Sequence, residues 1–511
     1  MKIKNLILEN RYLVLVMILG AAFRLYNLGF QSLWFDELEC VTLAIDKSFG
    51  VFLDEMLRRK NLHSHGYYFI LHFISYFTEI DEFYARIPSA IFGIISLYLV
   101  YCYSYLVSYC RKTSLMTTTL WAFSGAGIYY AQEARGYSLS VFTSLILVLI
   151  LMRMEKNIFS SLKINKKMLL LNLAVVFLLL LVDRLNLLVL FVFFLYYILR
   201  NPLKFKRSRY VLFFLFLLMA VNIPRIYEAI VKYSYEFSNV SGQLPQTYDY
   251  LQRMIFFSFS FHTYWHIGNQ YIESKYVYLI FLVYIAILII TLLVGRDRES
   301  FKNFMRYRLL VPLLMIVVPV VVFIIINVLF SRNIFRERYL LFTLPSYYLF
   351  MSIILMQIKK SWIRNAMFGF LVVFFVSHFV FNINTYWRTV KTPYLNFFSY
   401  IKTMYNKNKK NDYIYNPCNP DWHFRYFLKR FGMGGIYPSK YHDMDELQKF
   451  VDETTKDGTV CKMRYAFCGC IPDRSEMNYF FEHFTISDYM AFPPYRNCVT
   501  FILTKKSSNM K

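Results

Sequence analysis

Carboxylates, guanidinium groups and imidazoles gather at a few places in this chain, and each gathering suggests a chemistry. The segment Gly29-Phe-Gln-Ser-Leu-Trp-Phe-Asp-Glu-Leu-Glu39 sets Asp36 and Glu37 among aromatic residues. A partly desolvated carboxylate in such a place can act as a general base. The plainer reading is a solvated acid that caps the next helix. Further on stands Asn61-Leu-His-Ser-His-Gly-Tyr-Tyr68. His63, His65 and His72 can hold a divalent cation with Glu37 or Glu39, but this spacing does not define a metal site.

Two other segments carry arginine. Tyr129-Tyr-Ala-Gln-Glu-Ala-Arg-Gly-Tyr-Ser138 places Glu133 and Arg135 beside a glycine at the end of an apolar run. Arg135 can snorkel to the interface or hold a phosphate. Phe330-Ser-Arg-Asn-Ile-Phe-Arg-Glu-Arg-Tyr339 holds Arg332, Arg336 and Arg338 with one acid, Glu337. Guanidinium groups make forked contacts to phosphate oxygens, so a lipid phosphate is the natural partner; an ordinary phospholipid headgroup serves as well as a substrate. The stretch Phe261-His-Thr-Tyr-Trp-His266 suits a sugar or a membrane interface equally.

The elements that must position these groups are membrane helices. The 511 residues are 57% hydrophobic and only 17% charged, too apolar for a soluble protein of this length. A spanning helix needs about 20 mostly apolar residues. Runs of that kind lie near 12–31, 86–109, 114–131, 137–152, 168–183, 186–200, 210–224, 276–294, 309–330, 339–357 and 366–384. Asp183, Arg184 and Asn186 divide the run 168–200 into a tight helical hairpin. Lys2 and Lys4 precede the first run, and no small-residue cleavage site follows, which reads as an uncleaved first helix. These predict a polytopic α-helical protein with about eleven spans.

The net charge of +25 belongs to basic loops separated by apolar runs, which argues against nucleic acid as a partner. Those loops are Arg111–Lys112, 153–167, 200–209, 296–308 and 359–364. With a cytoplasmic N-terminus all five fall inside, as the positive-inside rule asks. The loop 32–85 then lies outside with surface helices, one of them over 66–77. So do 225–275, the arginine segment and everything after 386. Beyond Trp387 the apolar runs stop. Strands are predicted at 412–415 and 499–503 and helices at 421–431 and 443–451, making a small α/β domain over 387–511 beside a membrane domain over 1–386. Five of the eight cysteines fall after 387, where an oxidising compartment would allow one or two disulfides of undetermined pairing. Cys102 and Cys110 lie in or beside an apolar run and read as inert.

In this order the segments resemble polyprenyl-phosphate-sugar-dependent glycosyltransferases of the GT-C fold. The likeness is to the bacterial branch related to protein O-mannosyltransferases and lipid A aminoarabinose transferases. It rests on Arg24-Leu-Tyr-Asn-Leu-Gly with Ser32-Leu-Trp-Phe-Asp-Glu37, and on Tyr67-Tyr68 with Leu71-His72. It continues with Ala85-Arg-Ile-Pro-Ser-Ala-Ile-Phe-Gly93, Tyr130-Ala-Gln-Glu-Ala-Arg-Gly-Tyr137, and Arg338-Tyr339 with Pro345. The first 140 or so residues carry most of it. One departure is His65-Gly66, where the family usually has Pro-Leu before the paired tyrosines.

The resemblance implies a sugar on a polyprenyl phosphate as donor, and a cell-envelope glycan, lipid or protein as acceptor. Asp36 would be the base, and Arg338, with Arg135 and Arg336, would hold the leaving phosphate. Glu37 would orient the acceptor or, with His65, help bind a divalent metal cation. Tyr67, Tyr68, Glu133 and Tyr339 would line the substrate site. Transfer would invert the anomeric carbon, at the outer face of the cytoplasmic membrane and among its lipids. Two other classes compete. A flippase of lipid-linked saccharides would carry polar residues inside several spans. An O-antigen ligase or polymerase would lean on a basic central outer loop.

Overall fold

Long apolar runs with few charges can satisfy their backbone only internally, and they fold as helices. The computed structural model describes residues 11–45, 48–58, 65–160, 166–200, 309–329, 337–387, 394–405, 412–415, 422–433, 462–468, 484–491 and 498–505. A two-residue ladder pairs 266–267 with 270–271, and a few isolated positions are described elsewhere. The runs at 210–224 and 276–294 lie outside the described residues apart from isolated positions. The helix predicted at 443–451, His63, Arg332 and Arg336 also lie outside them.

The helices are α1 (Arg11–Leu25), α2 (Phe35–Ala44), α3 (Phe49–Arg58), α4 (His65–Ser75), α5 (Glu82–Ser108), α6 (Arg111–Ala122) and α7 (Gly125–Ala131). Then follow α8 (Tyr137–Ser160), α9 (Lys166–Val182), α10 (Asn186–Arg200) and α11 (Leu310–Leu329). A 3-10 turn over Glu337–Thr343 leads into α12 (Leu344–Leu355), and α13 (Ser361–Trp387) follows among the described residues. Among the described residues, Glu82–Ser108, Tyr137–Met154 and Arg338–Leu355 are long and apolar enough to cross a membrane. Shorter apolar helices cover Leu171–Val182, Asn186–Leu199, Leu310–Ile326 and Ser361–Val376. The chain is an integral membrane protein.

Three predicted spans differ in detail. The first stops at Leu25 because Asn27 takes a left-handed backbone (φ 53°), which Asn tolerates better than most residues. The run 114–131 breaks into α6 and α7 at Phe123–Ser124, where the Ser124 hydroxyl caps α7 by accepting from Gly127 N–H at 3.1 Å. The run 339–357 begins as a 3-10 turn, and Pro345, which has no N–H to give, starts the α-helix after it. The hairpin at 183–186 stands as predicted between α9 and α10.

The chain forms two compact units. The first comprises Met1–Leu28, Lys47–Thr78 and Arg86–Ile383. In it α12 packs on α6, the 3-10 turn on α8, α10 on α11, and α1 on α6. Their shared core runs through Trp121, Tyr103, Phe193, Tyr348 and Phe375. Buried Thr117, Thr118 and Thr119 return their hydroxyls to carbonyls one turn back, so they place no unmet polarity in the core.

The second unit comprises Gly29–Asp46, Glu79–Ala85 and Asn384–Lys511. It contains α2, α14 (Tyr394–Tyr405), α15 (Trp422–Arg430) and a four-stranded sheet of β1 (Asp412–Tyr415), β2 (Lys462–Cys468), β3 (Phe484–Ala491) and β4 (Cys498–Lys505). The strand order is β1-β2-β4-β3; β1 and β2 are parallel and the other pairs antiparallel. A register shift between Ile486 and Asp488 bends β3. Cys468 stands opposite Cys498 in the ladder, while Cys40, Cys102 and Cys110 are free thiols.

Candidate active site

The first unit brings two of the arginine segments together. Tyr130 ends one short helix and Tyr137 opens the next, so residues 132–136 form a tight corner. The corner is pinned from several sides. Gln132 Nε2 donates to the carbonyls of Phe23 (3.0 Å) and Tyr26 (2.9 Å), and Ser138 Oγ donates to Tyr130 O at 3.1 Å. Ser89 Oγ lies 2.9 Å from the Arg135 carbonyl and 3.0 Å from Tyr67 Oη. A carbonyl only accepts and Ser89 has one proton, so Tyr67 donates to Ser89 and Ser89 to Arg135. Tyr67 therefore touches the arginine corner through one hydroxyl.

Arg135, Glu133 and Tyr137 are buried there, and Tyr68 is buried on α4. The Arg338 guanidinium carbon stands 5.7 Å from the Tyr137 ring centre, a cation–π distance. Tyr130 meets Tyr137 edge to face at 5.0 Å, and Tyr339 stacks on Phe323 at 6.3 Å. A guanidinium group held over an aromatic face in a low-dielectric setting attracts an anion strongly.

Asp36 and Glu37 belong to the second unit. Both stand in the first turn of α2, where acidic side chains favour the helix. Glu37 is fully buried, and its Oε2 accepts the Trp34 backbone N–H at 3.2 Å, one half of a capping box. Asp36 is half-buried. The two neighbours thus differ: Glu37 holds the start of the helix, while Asp36 keeps part of its surface open.

The histidines have defined neighbours. His65 Nε2 faces Arg184 Nη2 at 3.4 Å, and His72 stacks on Phe52 at 4.1 Å with Nε2 2.9 Å from Tyr76 Oη. A guanidinium neighbour disfavours a cation at His65. Among the described residues no group of three or more His, Cys, Asp or Glu side chains is placed to hold a metal ion. Gly66 has a steric reason. A Cβ there would lie 2.6 Å from Val182 Cγ1, so only glycine lets α4 approach α9 this closely.

Ser89 and Gln132 carry no signal of their own in the sequence, and Asp183 reads there only as a break in an apolar run. Asp183 sits in the turn between α9 and α10, outside both helices. Burial pushes its carboxyl up to about 6, against opposing hydrogen bonds from Ser140 and the Leu185 N–H. Its Oδ2 is buried and accepts no hydrogen bond from the described residues. Ser89 follows Pro88 inside a helix, and that proline was the available signal.

No family model and no curated relative matches the sequence. Solved structures do. The apo form of ArnT from Cupriavidus metallidurans superposes with a TM-score of 0.54 at 10% identity, covering 97% of this chain and 98% of that one. ArnT bound to undecaprenyl phosphate gives 0.44 at 11% identity, covering 98% and 99%. The apo oligosaccharyltransferase of Archaeoglobus fulgidus gives 0.49 at 10%, covering 89% of this chain and 69% of that one. The likeness at 0.54 shows the fold, and the two fainter ones add nothing to it. The chain is a polytopic membrane protein of the GT-C fold.

Proposed function

We propose that this protein is a membrane glycosyltransferase that moves a sugar from a polyprenyl phosphate to an acceptor hydroxyl at the outer face of the cytoplasmic membrane. One observation carries the reading. Arg338 and the corner Glu133–Tyr137 converge within a membrane unit of GT-C fold, giving a cationic, aromatic-lined place suited to a lipid phosphate. The sequence segments resembling GT-C transferases support it further.

Asp36 takes the proton from the acceptor hydroxyl as that oxygen attacks the anomeric carbon. The bond from that carbon to the phosphate oxygen breaks, and its electron pair leaves with the phosphate. Arg338, Arg135 and Arg336 stabilise the charge that develops there. Attack from the face opposite the leaving group inverts the anomeric centre. Tyr67, Tyr68, Glu133 and Tyr339 shape the pocket, and Glu37 holds the base's helix. The acceptor is a cell-envelope glycan, lipid or protein.

The test compares glycolipids and surface glycans of a deletion strain complemented with wild type, Asp36→Asn or Arg338→Ala. Both variants should accumulate to normal levels. Asp36→Asn should leave the deletion phenotype, and Arg338→Ala should weaken use of the lipid-linked donor. Full glycan output from Asp36→Asn removes the proposed base. A reporter fused after residue 386 should read as external; a cytoplasmic readout overturns the sidedness.

A further inference from the structure

The helix that carries Asp36 is short, ten residues, and isolated helices of that length are marginal. Something must hold it. The second unit supplies a frame from residues far along the chain. Arg430 on α15 meets Glu82 with two parallel N–H···O contacts of 2.6 Å each. The Glu82 side chain is only 5% exposed and Arg430 29%. Tyr426, one turn earlier on α15, donates its hydroxyl to the Ile80 carbonyl at 3.0 Å.

The segment before α2 is tied as well. The Leu395 N–H donates to Ser32 Oγ at 3.0 Å, and a Cβ on Gly29 would lie only 3.3 Å from Phe83 Cβ. Phe427 of α15 stacks on Tyr394 and Phe398 of α14 at 5.2 and 5.1 Å, so these two helices form one piece. Finally, α15 packs directly on α2.

We propose that Glu82 and Arg430 are a positioning pair, and that α14 and α15 frame the Asp36 helix. A forked ion pair fixes distance and orientation together, which a single contact does not. A general base loses effect when misplaced by even about an ångström. The proposal rests on the reading of Asp36 as the base, and it is testable without knowing the sugar.

The experiment is hydrogen–deuterium exchange of the full-length protein in detergent micelles. It follows peptides covering 35–44 in wild type, Arg430→Ala, Arg430→Lys, Glu82→Gln and the swapped pair Glu82→Arg/Arg430→Glu. Exchange across α2 should rise about tenfold in Arg430→Ala and Glu82→Gln, less in Arg430→Lys, and return to within about threefold of wild type in the swap. Peptides from α8 and α12 should not change. Unchanged exchange of α2 in Arg430→Ala overturns the proposal. So does a rise shared by every helix in Arg430→Lys, which would make the pair a general stabiliser. Glycan output separates this from the functional reading. If α2 loosens while Asp36→Asn retains full output, the frame stands and the transferase reading fails. If α2 is unmoved and Asp36→Asn is inactive, the reverse holds.

Discussion

Two charged side chains buried in the membrane unit are met by different partners. Arg24, fully buried at the end of α1, spreads three hydrogen bonds over backbone carbonyls: Gly20 at 2.9 Å, Ala122 at 3.0 Å and Trp121 at 3.1 Å. Two of these belong to the last turn of α6, the negative end of that helix. The clamp is reciprocal, because Gln132 gives its amide protons to the carbonyls at the end of α1. Asp183, equally buried, has one carboxylate oxygen with no hydrogen bond from the described residues. A guanidinium keeps its charge whatever surrounds it and is held by helix-end carbonyls, whereas a buried carboxylate can shed its charge by taking a proton.

The largest effect is expected of Arg24→Leu. It removes the donors from the Trp121 and Ala122 carbonyls and leaves room beside Gly93 and Gly127, where an added Cβ would lie 3.2 Å from the arginine. The expected cost is about 3–5 kcal/mol, read as a large fall in the thermal midpoint of the solubilised protein. An unchanged midpoint would mean that the clamp is incidental.

Asp183→Asn should act with the opposite sign. The native carboxyl keeps its proton up to about 6, against 3.8 for an ordinary aspartate. Between those pH values the native state binds more protons than the unfolded chain, so stability declines as pH rises through the window and stays low above it. Replacing the acid should stabilise by about 2–3 kcal/mol at pH 7.5, with the benefit vanishing near pH 4. Thermal midpoints measured across that range decide the matter, and a benefit independent of pH would sink the titration account.

Two further substitutions should have smaller effects. Gly66→Ala should cost about 1–2 kcal/mol by forcing Val182 away, and Val182→Ala should recover most of it in a double-mutant cycle. Gln132→Leu should cost about 1 kcal/mol, since α1 loses amide donors at its end while water or neighbouring groups take part of their place. A cost equal to that of Arg24→Leu would show that the two halves of the clamp act as one.

Much of the helical frame was legible, because an apolar run of sufficient length has few alternatives in a bilayer. The hairpin at Asp183 could be placed because three polar residues interrupt a long apolar run. Strand β1 and strand β4 were visible as well. In β2, Met463, Tyr465 and Phe467 alternate with Lys462 and Arg464, a period-two signal that went unused. In β3 the register shift after Ile486 disturbs the alternation, so the pattern itself is blurred. The break between α6 and α7 was illegible for a different reason: the carbonyls that end α6 are satisfied by an arginine 97 and 98 residues earlier in the chain.

Where helices can span follows from the order of residues alone, as does the short set of ionisable side chains placed among apolar neighbours. Those properties are local and follow from hydrophobicity and charge. Partnership was decided only by tertiary structure: that Ser89 carries Tyr67 to the Arg135 carbonyl, that Arg338 faces Tyr137, and that Arg430 grips Glu82. A hydrogen bond or ion pair acts over about 3 Å of space whatever the separation along the chain, so folding alone brings such groups within reach.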